Sequence, residues 1–177
     1  MLIKKAARRY AQAFFDLAKD SGCQDKALGD MVDLGRALRE STDLAGFLGD
    51  YVVGRQARGR ALEHLFQGRV DPLTWRFIRF LESKKRLGLL REVCPAFEAL
   101  HDKAMGILQV MFACAFGMEE QAPDRISKML EGKFGRPVKL SVVVRPELIG
   151  GFRLQVEDRV HDFSVAGALA ALRRTMV

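Results

Sequence analysis

The sequence has few cysteines and histidines, and none of them has the spacing of a metal site. Its 177 residues include three cysteines and three histidines, with no Cys-x-x-Cys pair and no His-Glu-x-x-His run. Cys23, Cys94 and Cys114 lie far apart in the chain. An odd number of dispersed cysteines is typical of reduced, mostly buried thiols in a cytosolic protein. We therefore expect free thiols and no metal centre.

Long hydrophobic runs are also missing. A transmembrane helix requires roughly 18 consecutive apolar residues, and the longest apolar run, from Met105 to Met118, is interrupted by Gln109. A signal peptide is not indicated, because charged residues follow the first three residues at once. The N-terminal stretch is Arg-rich and amphipathic, as a mitochondrial presequence is, but Asp16 and Asp20 favour a structural first helix.

Other catalytic arrangements are incomplete. Gly132-Lys133 lacks the preceding glycine and the following Ser or Thr of a phosphate-binding loop. Glu98 and His101 form a single Glu-x-x-His, whereas di-iron bundles use two, so we interpret them as a pair on a helix surface. Asp158 and Asp162 would suit a carboxylate pair, but turn and capping roles explain them better. We therefore predict no catalytic residues and no cofactor.

The chain carries a net charge of +7, from 29 basic and 22 acidic residues. A basic excess favours an acidic partner, and the cluster Lys84-Lys85-Arg86 makes a nucleic-acid-binding helical module the competing hypothesis. Against that hypothesis, aromatic residues do not interleave with the basic ones, and no helix-turn-helix or RNP-like run is present. An even mixture of charges is also what an ordinary solvated surface shows.

The first hundred residues have helical periodicity throughout. The predicted helices cover about residues 7–20, 28–40, 44–48, 57–66, 72–81 and 89–100. Asp71 and Pro72 supply a capping aspartate followed by proline at the first position of the fifth helix. Pro95 lies in the sixth stretch, so that helix begins at Pro95 or is kinked there. Six short helices joined by short links predict a bundle.

The pattern changes at about Ala104, where alternation of apolar and polar residues begins. A strand, a helix ending at Gly135, three strands and a last helix capped by Ser164 are predicted, with a turn or bulge at Gly150-Gly151. Glu157 and Asp158 form a two-residue connection between the last two strands. We predict a mostly α, α+β protein, with an N-terminal six-helix bundle in residues 1–105 and a small C-terminal α+β domain in residues 106–177.

Two helices of the predicted bundle have more apolar surface than one core requires. At about 100° per residue, the apolar residues of the first and fifth helices each span roughly 200°, whereas a helix on one core needs little more than about 100°. The surplus indicates either deep burial inside the bundle or an exposed groove for a partner. Periodicity alone leaves both interpretations open.

The C-terminal region resembles the signature of the delta subunit of F-type ATP synthases, the bacterial counterpart of the mitochondrial oligomycin-sensitivity-conferring protein. That signature contains a proline, Ile-Gly-Gly, a strand, Gly-Asp-Arg-Val, and Asp-Gly-Ser before a Leu/Arg helix. The matching residues are Pro146, Ile149, Gly150, Gly151, Asp158, Arg159, Val160, Asp162, Ser164, Leu169, Leu172 and Arg173. Glu157 and Phe163 depart from it, because the family usually has a glycine and a small residue there. The runs ARRYAQAFFDLAKDSG and FIRFLESKKRLGLL resemble the family's first and fifth helices.

The resemblance implies a non-catalytic subunit of the peripheral stalk, or stator, at the cytoplasmic face of a bacterial cell membrane. Its bundle would bind the N-terminal helix of an alpha subunit of the catalytic head, and its C-terminal domain would bind the C-terminal ends of the b subunits. The head would then not co-rotate during proton-driven ATP synthesis. The implied groove for the alpha-subunit helix comprises Tyr10, Ala13, Phe14, Leu17, Phe77 and Phe80. The family often has asparagine in place of Arg76, so the polarity of the rim differs here.

Overall fold

The computed structural model describes residues 2–49, 54–157 and 159–175. Asp158, one of the two candidate carboxylates, lies outside these ranges. The chain divides into two compact units, residues 1–101 and 102–177. Within the described ranges, no helix has the length and apolar character needed to span a membrane.

The first unit is helical, and helices lie in all six predicted stretches. They are α1 (Leu2–Asp20), α2 (Gln24–Glu40), α3 (Thr42–Gly49), α4 (Arg55–Phe66), α5 (Pro72–Ser83) and α6 (Leu90–Ala104), with a 3₁₀ turn at Leu87–Leu89 before α6. The side chain of Asp71 accepts a hydrogen bond from the Leu73 amide at 2.9 Å, and Pro72 occupies the first turn of α5. The predicted cap of α5 is therefore confirmed.

Pro95 lies inside α6, which already begins at Leu90, so one of the two predicted alternatives, a helix start at Pro95, is wrong. Proline removes one backbone hydrogen bond from a helix interior. The periodicity of the sequence does not show how much stability packing adds to compensate for that lost hydrogen bond. Leu90, Val93 and Phe97 are all fully buried on one face of α6. Their burial stabilises the helix on both sides of the proline, because tertiary packing outweighs local propensity.

His101, near the end of α6, is buried with only 6% of its surface exposed. Its Nε2 atom lies 3.6 Å from a carboxylate oxygen of Asp25 on α2. The expected surface pair of Glu98 and His101 is therefore wrong for His101, which packs towards α2 instead. The Glu-x-x-His spacing places both residues on one helix face but does not say whether that face meets solvent.

The second unit is a four-stranded sheet with two helices. Its elements are β1 (Leu108–Cys114), α7 (Ala122–Phe134), β2 (Val138–Val144), β3 (Gly151–Val156), β4 (Arg159–Ser164) and α8 (Val165–Thr175). The strand order is β2-β1-β3-β4; β1 is parallel to β2, and the other neighbouring pairs are antiparallel. The strand, helix, three strands and helix predicted for this region are confirmed in that order.

One face of this sheet is covered at one end only. Leu108 and Val110 of β1 pack with Leu130 of α7 in a small buried cluster. Further along the same face, Phe112 stacks on Phe152 with ring centroids 5.0 Å apart. Phe163 lies 5.1 Å from Phe152 and is 60% exposed. We call Phe112, Phe152 and Phe163 the aromatic row.

The turn predicted at Gly150-Gly151 is confirmed, and the backbone shows why glycine is needed there. Gly151 has a φ of +70°, and a Cβ atom at that position would collide with the carbonyl oxygen of Phe163. Ile149, two residues before Gly151, has a φ of +66°. The Gly150 amide donates a hydrogen bond to the Leu148 carbonyl at 2.7 Å. This tight turn at a β-branched residue is strained and was not predicted.

A hydrogen-bonded group joins β4 to α8. Ser164 caps α8 as predicted, because its Oγ accepts a hydrogen bond from the Gly167 amide at 3.0 Å. The same hydroxyl donates to the carboxylate of Asp162 at 2.6 Å, and Arg153 donates to that carboxylate from β3. The bonds from Ser164, followed by that from Arg153, lower the pKa of Asp162 to about 2. Asp162 is thus a structural carboxylate.

Candidate partner-binding groove

The helices α1 and α5 lie side by side in the first unit and run antiparallel. Phe14 of α1 stacks on Phe77 of α5 with ring centroids 4.2 Å apart. One turn towards the start of α1, Tyr10 meets Phe80 edge to face at 6.2 Å. The earlier residue of α1, Tyr10, contacts the later residue of α5, Phe80. The two helices therefore run in opposite directions.

The predicted groove residues divide into a buried pair and a set that is exposed or half-buried. Phe14 and Phe77 are buried in the core of the first unit. Ala13 is exposed, Leu17 and Phe80 are 51% and 45% exposed, and Tyr10 is half-buried against the core. Part of the apolar arc is therefore buried in the core, and another part is exposed.

A cleft of about 420 Å³ lies at the Tyr10 end of this surface. It is lined by Ala6, Arg9, Tyr10, Ala13, Phe80 and Arg86. Three of these, Ala6, Arg9 and Arg86, were not among the predicted site residues. Ala6 lies seven residues before Ala13, so helical spacing places both on one face and gave a usable signal. We call the cleft together with Leu17 the α1/α5 groove.

The backbone conformation after the last turn of α5 brings Arg86 to the cleft. Lys85 has a φ of +55°; its amide donates to the Glu82 carbonyl at 2.9 Å, and the Arg86 amide donates to the Leu81 carbonyl at 2.8 Å. This pair of hydrogen bonds is the Schellman ending of a helix, which usually has glycine where Lys85 stands. It fixes the backbone of Arg86 to the last turn of α5.

The rim at this end of the groove is basic. The Lys84 ammonium lies 5.8 Å from the centroid of the Phe80 ring, within cation–π range. Arg9, Lys84 and Arg86 are all exposed. Within the part of the chain that the structure describes, none of the three forms an ion pair. The groove thus combines an apolar surface with exposed positive charge.

Metal-ligating and nucleophilic residue types, the cysteines among them, are the candidates for a chemical site. Among the described residues, no group of three His, Cys, Asp or Glu side chains is placed to hold a metal ion. The three cysteines are free thiols. Burial, followed by the nearby Glu98 carboxylate, raises the pKa of Cys94 to about 12, so this thiol is protonated and unreactive at neutral pH.

The second unit has an exposed apolar surface of its own. Besides the aromatic row, α8 exposes Leu169 and Leu172 by more than half. Large apolar side chains that are exposed together mark interaction surfaces in soluble proteins. Both units therefore offer a surface suited to a protein partner.

Comparison with known proteins gives consistent matches over nearly the whole chain. The family described as ATP synthase delta (OSCP) subunit matches residues 6–176. The ATP synthase subunit delta of Rubrobacter xylanophilus is 34% identical over 177 residues, covering 97% of this chain and 96% of the relative. That of Chlorobium luteolum is 30% identical over 171 residues, covering 97% of this chain and 94% of the relative.

Solved structures agree with the sequence matches. A chain in the cryo-EM structure of the Toxoplasma gondii mitochondrial ATP synthase hexamer superposes with a TM-score of 0.79 at 27% identity, covering 96% of each chain. A nucleic-acid-binding module is not favoured by these matches. The chain therefore belongs to the family of ATP synthase delta (OSCP) subunits and is a component of the peripheral stalk.

Proposed function

We propose that the chain ties the catalytic head of a bacterial F-type ATP synthase to the b subunits, at the cytoplasmic face of the cell membrane. The six helices of the first unit act as one bundle, in residues 1–105, which binds the N-terminal helix of an alpha subunit. The α+β domain, in residues 106–177, binds the C-terminal ends of the b subunits. The link carries no catalytic step of its own.

The observation that carries this proposal is the exposed apolar part of the α1/α5 groove. Leu17 and Phe80 lie on the surface although both are large and apolar, and small Ala13 lies between them on the exposed face of α1. An amphipathic helix docks by placing its apolar face in such a groove. The buried Phe14–Phe77 stack holds α1 against α5, so docking costs little reorganisation.

The role is mechanical. Torque from the rotor acts on the head, and a link that resists this torque needs slow dissociation and no turnover. Slow dissociation follows from well-packed apolar anchors in the centre of an interface, which Tyr10 and Phe80 supply in the first unit. The aromatic row and α8 supply apolar anchors in the second unit, which supports a separate partner there.

Substitutions in the groove test the proposal. Ala13→Asp places a charge where the docked helix would press closely, and burial of an unpaired carboxylate costs several kcal/mol. We expect about a hundredfold or greater loss of affinity for the N-terminal peptide of the alpha subunit of the same ATP synthase. Phe80→Ala removes an anchor and costs about 2 kcal/mol of binding. Calorimetric titration measures both losses.

The matched control is Ala57→Asp, at an exposed alanine of α4 that does not line the cleft. It adds the same charge to the same unit and should bind the peptide normally. Thermal melts of all three variants should stay near that of the parent protein, because Ala13, Ala57 and Phe80 are exposed. Normal peptide binding by Ala13→Asp and Phe80→Ala would place the head-binding site elsewhere.

A further inference from the structure

The basic end of the α1/α5 groove needs an explanation beyond the fold of the first unit. Lys84 and Arg86 follow the C-terminus of α5, where positive charge stabilises the helix dipole. The helix dipole does not explain the position of Arg9 in this way. Arg9 lies in the interior of α1, away from the C-terminal turn where a helix dipole favours cations.

Positive charge is also concentrated at the start of α1. Its first turn contains no acidic residue, and Lys4, Lys5, Arg8 and Arg9 follow one another within two turns. Like charges at this spacing destabilise a helix. The cations at the start of α1 therefore reduce the stability of α1 itself.

The opposite end of the groove has a different charge. Asp20 lies seven residues after Ala13, on the same face of α1, and Asp16 lies beside that face, where it accepts a hydrogen bond from Gln12. The groove is therefore basic where Tyr10 meets Phe80, whereas the end of α1 carries Asp16 and Asp20 beside Lys19. Among the described residues that line the cleft, the charged ones are Arg9 and Arg86, and both are basic.

We propose, on the basis of the proposed function, that the helix which docks in the α1/α5 groove carries carboxylates at one end, and that these lie against Arg9, Lys84 and Arg86. The apolar centre of the groove holds the helix, and the basic end sets its direction. Complementary charges at an interface rim fix the register and raise the association rate. The basic end is thus a specificity element for an acidic-ended amphipathic helix.

Neutralisation of the basic end tests this inference. The variant Arg9→Gln/Arg86→Gln keeps side chains of similar polarity and removes two cations that line the cleft. We expect about a three- to thirtyfold loss of affinity for the alpha-subunit peptide at low salt, since exposed charge pairs contribute modestly. The matched control, Lys26→Gln/Arg69→Gln, removes two exposed cations outside the cleft and should bind as the parent protein does.

A second peptide, with every Asp and Glu replaced by Gln, completes a double-mutant cycle. It should lose as much affinity for the parent protein as the double variant loses for the original peptide. The two losses should not add, because both remove the same charge pairs. Raising NaCl from about 0.05 M to about 0.5 M should weaken only the pairing of the parent protein with the original peptide, since salt screens exposed charges.

The outcomes separate this inference from the function on which it rests. Additive losses, or an unchanged affinity and salt dependence for Arg9→Gln/Arg86→Gln, would overturn the acidic-end inference. If Ala13→Asp still abolished binding in that case, the groove would remain the docking site. Normal binding by Ala13→Asp would overturn both. An unchanged affinity of the parent protein for the peptide without acidic residues would also overturn the inference.

Discussion

The two units bury their apolar residues to very different extents. In the first unit, one continuous core connects α1 to α6 and includes the aromatic residues Phe14, Phe15, Phe77 and Phe97. In the second unit, the clusters are small: one contains Leu108, Val110 and Leu130, and the other is built around Leu148. Phe163 and Leu172, by contrast, are 60% and 59% exposed.

The difference indicates two kinds of stability. A helical unit with a continuous core gains most of its stability from its own packing, and the α1/α5 groove is an apolar strip that it leaves exposed. A four-stranded sheet covered by a helix at one end leaves apolar area in water. That area contributes to stability only when a partner removes it from solvent. Matched substitutions in the two units test this contrast.

The largest effect is expected in the first unit. Phe97 is fully buried and lies 5.1 Å from Phe14 and 5.6 Å from Phe15, between ring centroids. Phe97→Ala should lower the free energy of unfolding by about 3–5 kcal/mol, because it opens a cavity in a closed core. Urea unfolding monitored by circular dichroism measures the change.

Phe163→Ala is the counterpart in the second unit. The ring is mostly exposed and lies beside Phe152, so its loss should cost no more than about 1 kcal/mol. A loss as large as that of Phe97→Ala would show that the aromatic row is a closed core, and the contrast between the units would fail.

An intermediate effect is expected at acidic pH and concerns the second unit alone. The folded state holds the pKa of Asp162 at about 2, below the value of about 4 for an unfolded aspartate. A lowered pKa stabilises the fold at pH values above about 4, and this contribution is lost as pH falls towards 2. Asp162→Asn should therefore flatten the pH dependence of unfolding in that window.

Ser164→Ala sharpens the same test. The hydroxyl of Ser164 is the largest cause of the lowered pKa of Asp162, so its removal should raise that pKa towards the ordinary value. Carboxylate NMR titration of the two proteins measures the shift. An unchanged pKa in Ser164→Ala would contradict the hydrogen-bonded group that joins β4 to α8.

The smallest effect is expected where α5 ends. Lys85 has a φ of +55°, a conformation that costs roughly 1 kcal/mol for a residue with a Cβ atom, whereas Lys84 has a helical φ of −86°. Lys85→Gly should raise the free energy of unfolding by about 0.5 kcal/mol, after allowance for the flexibility that glycine adds to the unfolded chain. Lys84→Gly should lower it by a similar amount, and the opposite signs in denaturant melts are the check.

The predicted elements were found because their signals are local. Alternation gave β1, β2 and β3, helical periodicity gave the stretches of the first unit, and the caps at Asp71 and Ser164 depend on residues within one turn. The positive φ of Ile149 was missed because a β-branched residue carries no signal for it. The burial of His101 was missed because it depends on α2, which lies far away in the sequence.

Part of the candidate groove was also predicted, because the spacing of residues along a helix is a local signal. Spacing placed Ala13 and Leu17 on one face of α1, and it placed Phe77 and Phe80 on α5. It did not separate the buried Phe77 from the exposed Phe80, because both belong to one wide apolar arc. Nor did it bring Arg86 to the cleft, which depends on the left-handed conformation of Lys85.

The sequence by itself determined the order of helices and strands, their caps, and the family, since each of these depends on neighbours along the chain or on a motif read in order. The tertiary structure alone decided which apolar residues stay in water. Burial depends on what packs against a face, and Phe14 and Leu17 on one helix differ only in whether α5 and α6 cover them. It also decided that Arg9 and Arg86, 77 positions apart in the chain, line one cleft.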